Sequence, residues 1–371
     1  MKNIKPLSII FFSVLIILNS YQALAYQEEP DSLDIKIGQM IMVGFPATKI
    51  EANDPLLKEI EKGNVGGVIL FEKNIDSVES YQHLKNLTFT MQTHAKVPLF
   101  MAIDQEGGRV NRLKTKYGFP RSVTAAYLGK LNNADSTRYY AQSTAATLAG
   151  LGFNVNFAPV LDLASNPDNP VIAKIGRSYS ADPEIVAKHA AIVMKEHTRL
   201  GVITVGKHFP GHGSSKADTH KGMADVTNTW KENELVPYQK LNEAGLLKGV
   251  MSAHIVNEHL DKLGLPGTLS ESILNGILRK RIGYDGVVFS DDMQMHAITK
   301  YYGIEKALEM GINAGLDVVI FSNNIRASKD RDFDYLHSLI KQLVLDGKIK
   351  MERIDQSYQR IMKLKKEMLY E

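Results

Sequence analysis

The run Gly201-Val202-Ile203-Thr204-Val205-Gly206-Lys207-His208-Phe209-Pro210-Gly211-His212-Gly213 begins as a buried strand and ends as a shaped loop. Its first part is apolar, as a fully buried strand requires. Lys207 and His208 close it, and Pro210 with Gly211 and Gly213 breaks any regular continuation. Asp218-Thr219-His220 follows after a short gap. Three histidines, two lysines and one aspartate thus fall within positions 207–220. Polar groups that converge where a strand leaves the core mark a site. A solvated polar loop is the competing reading.

Working outward, similar apolar runs recur along the chain. They are Gln39–Phe45, Gly67–Phe71, Pro98–Asp104, Phe153–Pro159, Val202–His208, Gly249–His254, Gly286–Asp291 and Asp317–Ser322. Between most of them lies a segment long enough for a helix, such as Ser77–His94 or Pro183–Leu200. Strands that alternate with helices argue for a parallel sheet with right-handed crossovers. Eight such units within about 300 residues predict an α/β fold of the closed (β/α)₈, TIM-type barrel class. No Gly-rich dinucleotide fingerprint follows the first run, which disfavours a doubly wound sheet. The segment Met351–Tyr370 places Ile354, Tyr358, Ile361, Met362 and Lys365 on one helical face. It is expected to be a helix that packs against the barrel and closes it.

The chain has 371 residues, 44% hydrophobic and 23% charged, with a formal net charge of +3. No basic stripe with interleaved aromatics is present, so a nucleic-acid partner is not expected. With no cysteine, disulfides, thiolate metal ligands and cysteine nucleophiles are excluded. Lys2 and Lys5, the apolar run Leu7–Leu18 and the small-residue pattern Ala23-Leu24-Ala25 read residues 1–25 as a signal peptide. The expected protein is therefore exported, periplasmic or secreted, with no stable membrane span after cleavage. An uncleaved N-terminal anchor is the competing reading. No repeat or linker divides residues 26–371, which read as one barrel domain with its closing helix.

In such a barrel the strand C-termini share one face, and function collects there. The strand ends here are chemically rich. They carry Asp104 with Gln105-Glu106-Gly107-Gly108-Arg109, then Asp162, Lys207-His208, His254 and Ser290-Asp291-Asp292. Helix capping is the alternative for Asp104 and for the Asp291-Asp292 pair.

These motifs resemble those of the family 3 glycoside hydrolases, and within them the bacterial β-N-acetylglucosaminidases. The resemblance rests on Ile103–Arg112, Gly176-Arg177-Ser178-Tyr179, Lys207–Gly213, Asp218-Thr219-His220 and Phe289–Met293. It implies a retaining exo-glycosidase that removes terminal β-linked N-acetylglucosamine through a covalent glycosyl-aspartate. It implies Asp291 as nucleophile, His220 as general acid/base and Asp218 as the carboxylate that orients His220. Asp104, Arg112, Arg177, Lys207 and His208 carry over as sugar-binding residues. The expected partner is a small carbohydrate, such as a peptidoglycan or chitin-type fragment, and the oligomeric state is left open. The chemistry is coherent, because retaining cleavage needs a carboxylate on one side of the sugar and a proton donor beside the leaving oxygen. In an extended segment, residues two apart point the same way, so Asp218 can hold one ring nitrogen of His220.

Neither a cofactor nor a metal is expected. A zinc site from His208, His212, Asp218 and His220 is a competing reading, but its H-x₃-H-x₅-D-x-H spacing matches no compact ligand motif. A non-catalytic wall-binding barrel is another, opposed by the presence of both Asp291 and His220. β-Glucosidase or β-xylosidase specificity on the same fold is a closer alternative. So is a phosphorylase. A histidine acid/base is neutral once its proton is spent, so it repels an anionic acceptor less than a carboxylate would. Phe209-Pro210 is expected to be cis.

Overall fold

The computed structural model describes residues 32–219, 222–324 and 332–370. The expected signal peptide and His220 lie outside the described residues. Each of the eight apolar runs contributes one barrel strand. They are β1 (Ile41–Gly44), β2 (Gly67–Leu70), β3 (Phe100–Ile103), β4 (Val155–Asn156), β5 (Ile203–Phe209), β6 (Gly249–Ser252), β7 (Val287–Asp292) and β8 (Val318–Phe321). Every neighbouring pair is parallel, and β1 closes the barrel by pairing both β2 and β8. Met42 of β1 lies across from Gly67 on one side and Ile320 on the other.

The helices form where the sequence predicts. Asp182 caps the helix Pro183–Thr198 by accepting from the Glu184 backbone, and Pro183 takes the first turn, where its missing N–H costs nothing. The expected helix at Ser77–His94 spans Ser80–Thr93.

β4 is the exception, with two residues where Phe153–Pro159 reads as a full strand. Pro159 has no N–H to donate to a ladder. Beyond Asn156 the chain stays beside β5 through single bonds instead, with Val205 N donating to Ala158 O and Leu161 N to Lys207 O.

The barrel interior is packed, as this fold requires. Phe289 lies edge-on to both Phe100 and Phe157, at 5.8 and 5.6 Å between ring centres. That geometry sets ring edges against ring faces and adds to the burial of apolar area. The helix Met351–Tyr370 lies against the opposite end, where the strands begin. Ile354, Ile361 and Lys365 of its expected face are buried, while Tyr358 and Met362 are half-buried. Lys365 Nζ donates to Gln39 Oε1 (2.5 Å) and Gly66 O (2.8 Å), just ahead of β1 and β2. No helix among the described residues is long and apolar enough to cross a membrane.

Candidate active site

A cavity of about 310 Å³ opens at the C-terminal ends of the strands, near the lower limit for small-molecule sites. Ile69, Phe157, Met251 and Ile320 give it an apolar floor. Its wall is charged. Asp104, Arg112, Arg177, Lys207, His208 and Asp291 all line it, so five sugar-binding positions and one catalytic position from the sequence come together here. Asp218 is half-buried, and its neighbour Thr219 lines the cavity, so the chain reaches the wall immediately before position 220. Arg109 is exposed.

Two bulges explain how consecutive residues reach the same space. In a regular strand, successive side chains point to opposite faces. The register of β5 against β6 slips between Lys207 and Phe209, and that of β7 against β8 slips between Phe289 and Asp292. Each slip inserts a residue and re-aims its neighbours. Lys207 and His208 therefore both line the cavity, as do Asp291 and Asp292. The expected cis bond at Phe209-Pro210 is present, and Lys207-His208 is cis as well.

The Gln105–Gly107 and Val110–Asn111 strands form a small hairpin at the end of β3. Its turn needs glycine: Gly107 has φ +99°, and a Cβ there would lie 2.2 Å from Val123 O. The hairpin folds Glu106 and Arg112 back over the cavity. Lys207 Nζ donates to Asp104 Oδ1 (2.7 Å) and lies 2.6 Å from Glu106 Oε1. Arg177 grips Glu106 with two parallel bonds, from Nε (2.7 Å) and Nη2 (2.8 Å), and Arg112 Nη2 reaches Asp104 Oδ2 at 3.3 Å.

Burial alone would push the Asp104 carboxyl up, but the Lys207 ammonium and the Arg112 guanidinium hold it below its usual range. Burial likewise opposes ionisation of Glu106, yet Arg177 and Lys207 pull it down to about 2. Both acids are thus anions at neutral pH.

The two aspartates at the end of β7 differ. Asp292 Oδ1 accepts from Gln294 N (3.0 Å) and Ser322 N (3.3 Å), and its Oδ2 takes the Ser322 hydroxyl. The helix that follows is His296–Thr299, with Met295 at its N-cap and no side-chain cap bond, so neither aspartate caps it. Burial pushes Asp292 up to about 6. Asp291 accepts the Asp292 N–H through Oδ1 (2.8 Å), and it lines the cavity.

Glu106, Asp162 and His212 stand in the quoted strand ends without a place in the expected sugar site, and Glu234 lies outside every motif. Asp162 is fully buried and holds the 208–212 turn: Oδ1 accepts from His208 N and His212 N, and Oδ2 lies 2.6 Å from His208 Nδ1. His208 opposes burial and keeps the Asp162 carboxyl below its usual range. Glu106 could have been found, since it lies two residues from Asp104 in an extended segment and so shares its side.

A closed parallel barrel whose strand ends converge on a pocket of carboxylates and cations is the architecture of a barrel enzyme. The chain belongs to glycosyl hydrolase family 3, whose N-terminal domain matches residues 32–364. A β-hexosaminidase of Nitrosomonas eutropha is 36% identical over 294 residues, which cover 76% of this chain and 80% of that one. β-Hexosaminidase A of Pseudoalteromonas piscicida is 33% identical over 332 residues, which cover 84% of this chain and 55% of that one. Among solved structures, a family 3 β-N-acetylglucosaminidase from a Paenibacillus species superposes with a TM-score of 0.83 at 33% identity, covering 91% of this chain and 63% of that one. A β-N-acetylhexosaminidase from Beutenbergia cavernae superposes with a TM-score of 0.78 at 28% identity, covering 91% and 99%. The chain therefore spans a little over half of the Pseudoalteromonas relative and nearly all of the Beutenbergia one.

Proposed function

We propose that the protein is a retaining β-N-acetylhexosaminidase that removes terminal β-linked N-acetylglucosamine from small glycans. The observation that carries the reading is the shared cavity, in which Asp291 faces the Asp104, Arg112, Arg177, Lys207 and His208 cluster. Relatives named β-hexosaminidase support it. Asp291 serves as nucleophile. Asp292 is committed to Gln294 and Ser322, whereas Asp291 stands at the cavity on a strand end that fixes its backbone. Asp104, kept ionised by its cations, accepts sugar hydroxyls, and Lys207 with the arginines donates to them. His220 protonates the leaving oxygen and then activates water, and Asp218 orients it.

Water is the acceptor in this reading. Lys207, Arg112 and Arg177 are offset by Asp104 and Glu106, which leaves 3 − 2 = +1 before Asp291 is counted. That small excess is a weak attraction for phosphate. Terminal N-acetylglucosamine on peptidoglycan or chitin-type fragments is the substrate class. Export through residues 1–25 would place the enzyme where such fragments occur.

The test is a panel of aryl β-glycosides, with N-acetylglucosaminide expected to exceed glucoside and xyloside. A preference for either of the latter two overturns the reading. Within the panel, His220→Ala should slow substrates with poor leaving groups far more than activated phenols, which need little protonation to depart. Equal loss across the leaving-group series would reject His220 as the acid.

A further inference from the structure

Two histidines stand side by side on the cavity wall, and their ring nitrogens are in opposite states. His208 has both engaged. Its Nδ1 meets Asp162 Oδ2 at 2.6 Å, and Arg177 Nη2 lies 3.2 Å from its Nε2. A guanidinium can only donate, so Nε2 accepts and the proton sits on Nδ1, facing Asp162. His208 therefore has no ring nitrogen left for a ligand, which corrects its expected role as a residue that hydrogen-bonds the sugar and leaves it as part of the cavity wall.

His212 is the reverse. Its backbone N–H is pinned to Asp162 Oδ1 at 2.7 Å, and its ring packs edge-on to His208 at 6.0 Å. The side chain lines the cavity, the residue is 3% exposed, and neither Nδ1 nor Nε2 has a hydrogen-bond partner among the described residues. Buried polar nitrogens are normally paired, and leaving one unpaired is costly. Burial pushes the ring down to about 4 and the His208 ring adds to this, against the opposing charges of Asp162 and Asp291. At neutral pH it is an uncharged imidazole with one donor and one acceptor.

We infer that His212 contacts the substrate, hydrogen-bonding the 2-acetamido group and setting the preference for N-acetylated over 2-hydroxy sugars. This rests on the glycosidase reading given above. Three observations lead to that group. The nitrogens have no partner among the described residues and the side chain lines the cavity, so a ligand there would satisfy them. The ring packs edge-on against His208 of the charged cluster, shares the cavity wall with Asp291 and feels its charge. With Asp291 below C1 and the cluster on the hydroxyls across the ring, a wall residue between them faces the substituents that flank C1. Those are the ring oxygen and the group on C2. The ring oxygen becomes electron-poor in an oxocarbenium-like transition state, where a donor would oppose reaction. The group on C2 remains. An acetamido group extends further from C2 than a hydroxyl does. It is also uncharged, which matches a neutral imidazole better than the ions that serve the hydroxyls.

The test compares His212→Leu and His212→Gln on the aryl N-acetyl-β-glucosaminide and the aryl β-glucoside. The His212 side chain bonds no other protein group among the described residues, so both variants should fold with an unchanged Tm. His212→Leu should lower kcat/KM for the acetamido substrate by about thirtyfold, the scale of a hydrogen bond lost in a desolvated site. The glucoside value should move less than about threefold, and His212→Gln, which keeps a donor and an acceptor, should recover part of the loss. Competitive inhibition by N-acetylglucosamine and by glucose supplies the same ratio from binding alone. Equal losses on both sugars, or no loss on either, with an active wild type overturn the inference and leave the glycosidase reading standing. A wild type that neither cleaves nor binds an N-acetylated sugar removes both.

Discussion

The barrel carries a buried ion network at each end, and the two are built differently. At the end where strands begin, Asp317 is fully buried just ahead of β8. Its Oδ2 accepts from Arg279 Nη2 (2.7 Å) and Val288 N (2.9 Å), and its Oδ1 from Arg353 Nη2 (3.0 Å) and Ser357 Oγ (2.8 Å). The closing helix supplies two of those donors and leaves the carboxylate nothing to offer a ligand. At the opposite end, Asp104, Glu106, Lys207 and two arginines satisfy one another only on the protein side, and the rest of the cluster faces a cavity. The same ion-pair chemistry therefore holds the structure together at one end and presents charge to a substrate at the other. Fold and function can be separated by choosing which carboxylate to remove.

The largest expected effect is at the open end. Asp291→Asn should lower turnover by more than about 10³-fold, as loss of one member of a catalytic unit does. Its Tm should stay close to wild type. Asp292→Asn is the internal control, expected to lower Tm through Ser322 and Gln294 while keeping far more activity. If the two activities are reversed, Asp292 is the nucleophile. At the closed end the pattern should invert. Asp317→Ala leaves Arg279 and Arg353 buried without a counter-charge, although both still donate to backbone carbonyls, and should cost about 3–5 kcal/mol of stability, measured by denaturant unfolding. The folded fraction should keep the wild-type KM. A change in KM without loss of stability would break the distinction between the two ends.

The sequence made the strand layout legible because a parallel barrel buries both faces of every strand, so each appears as a continuous apolar run. β4 was over-read because a run that contains Pro159 looks apolar but cannot complete a ladder. The charged strand ends were legible for the same topological reason, since all eight open on one face. The supporting carboxylates were not. Glu234 sits in Lys231-Glu232-Asn233-Glu234, a stretch that reads as a solvated turn. Only the tertiary fold buries it, beneath Gly211 and Gly213. His212 was visible as one histidine among several, and nothing local distinguishes a ring with free nitrogens from one already bonded, as His208 is.

A smaller effect sharpens the comparison at the closed end. Lys365 is buried, donates to Gln39 Oε1 and Gly66 O, and lies 4.6 Å from the centre of the Phe100 ring. Burial pushes its ammonium well below the ordinary lysine range. The folded protein then releases this proton at a pH where the unfolded chain still holds it. Stability from this residue therefore rises with pH until the unfolded value of 10.5 is reached. Lys365→Met should cost about 1–2 kcal/mol near neutral pH through the two orphaned oxygens. Unfolding at pH 7 and pH 9 should show the wild type gaining on the variant as pH rises. A constant gap would mean that Lys365 keeps its proton throughout.

The smallest expected effect on turnover joins structure to activity at the open end. Glu234 accepts from Leu163 N (3.3 Å) and Ser165 Oγ (2.9 Å) and lies against the turn that carries His212. Burial first, and the Asp162 charge second, push it up to about 8, although the Ser165 hydroxyl and the Leu163 and Gly213 N–H groups pull the other way. Its folded value exceeds the unfolded 4.5, so its contribution to stability is complete below 4.5 and disappears as pH rises through about 8. Below pH 4.5 the side chain is a neutral acid in the folded and the unfolded chain alike, and Glu234→Gln should be nearly silent, because glutamine has the same shape and no charge. Between pH 4.5 and about 8 the unfolded wild type gives up this proton while the folded protein keeps it, and the variant has none to lose. The Tm curves of the two proteins should therefore separate above pH 4.5 in favour of the variant and run parallel above about pH 8. Since the turn leads on in sequence to Asp218 and His220, the alkaline limb of kcat/KM should move upward in the variant as well. Parallel Tm curves from pH 5 to 8 would mean that folded Glu234 gives up its proton as readily as the unfolded chain does. A separation in Tm without any movement of the alkaline limb would confine its influence to the scaffold beneath the cavity.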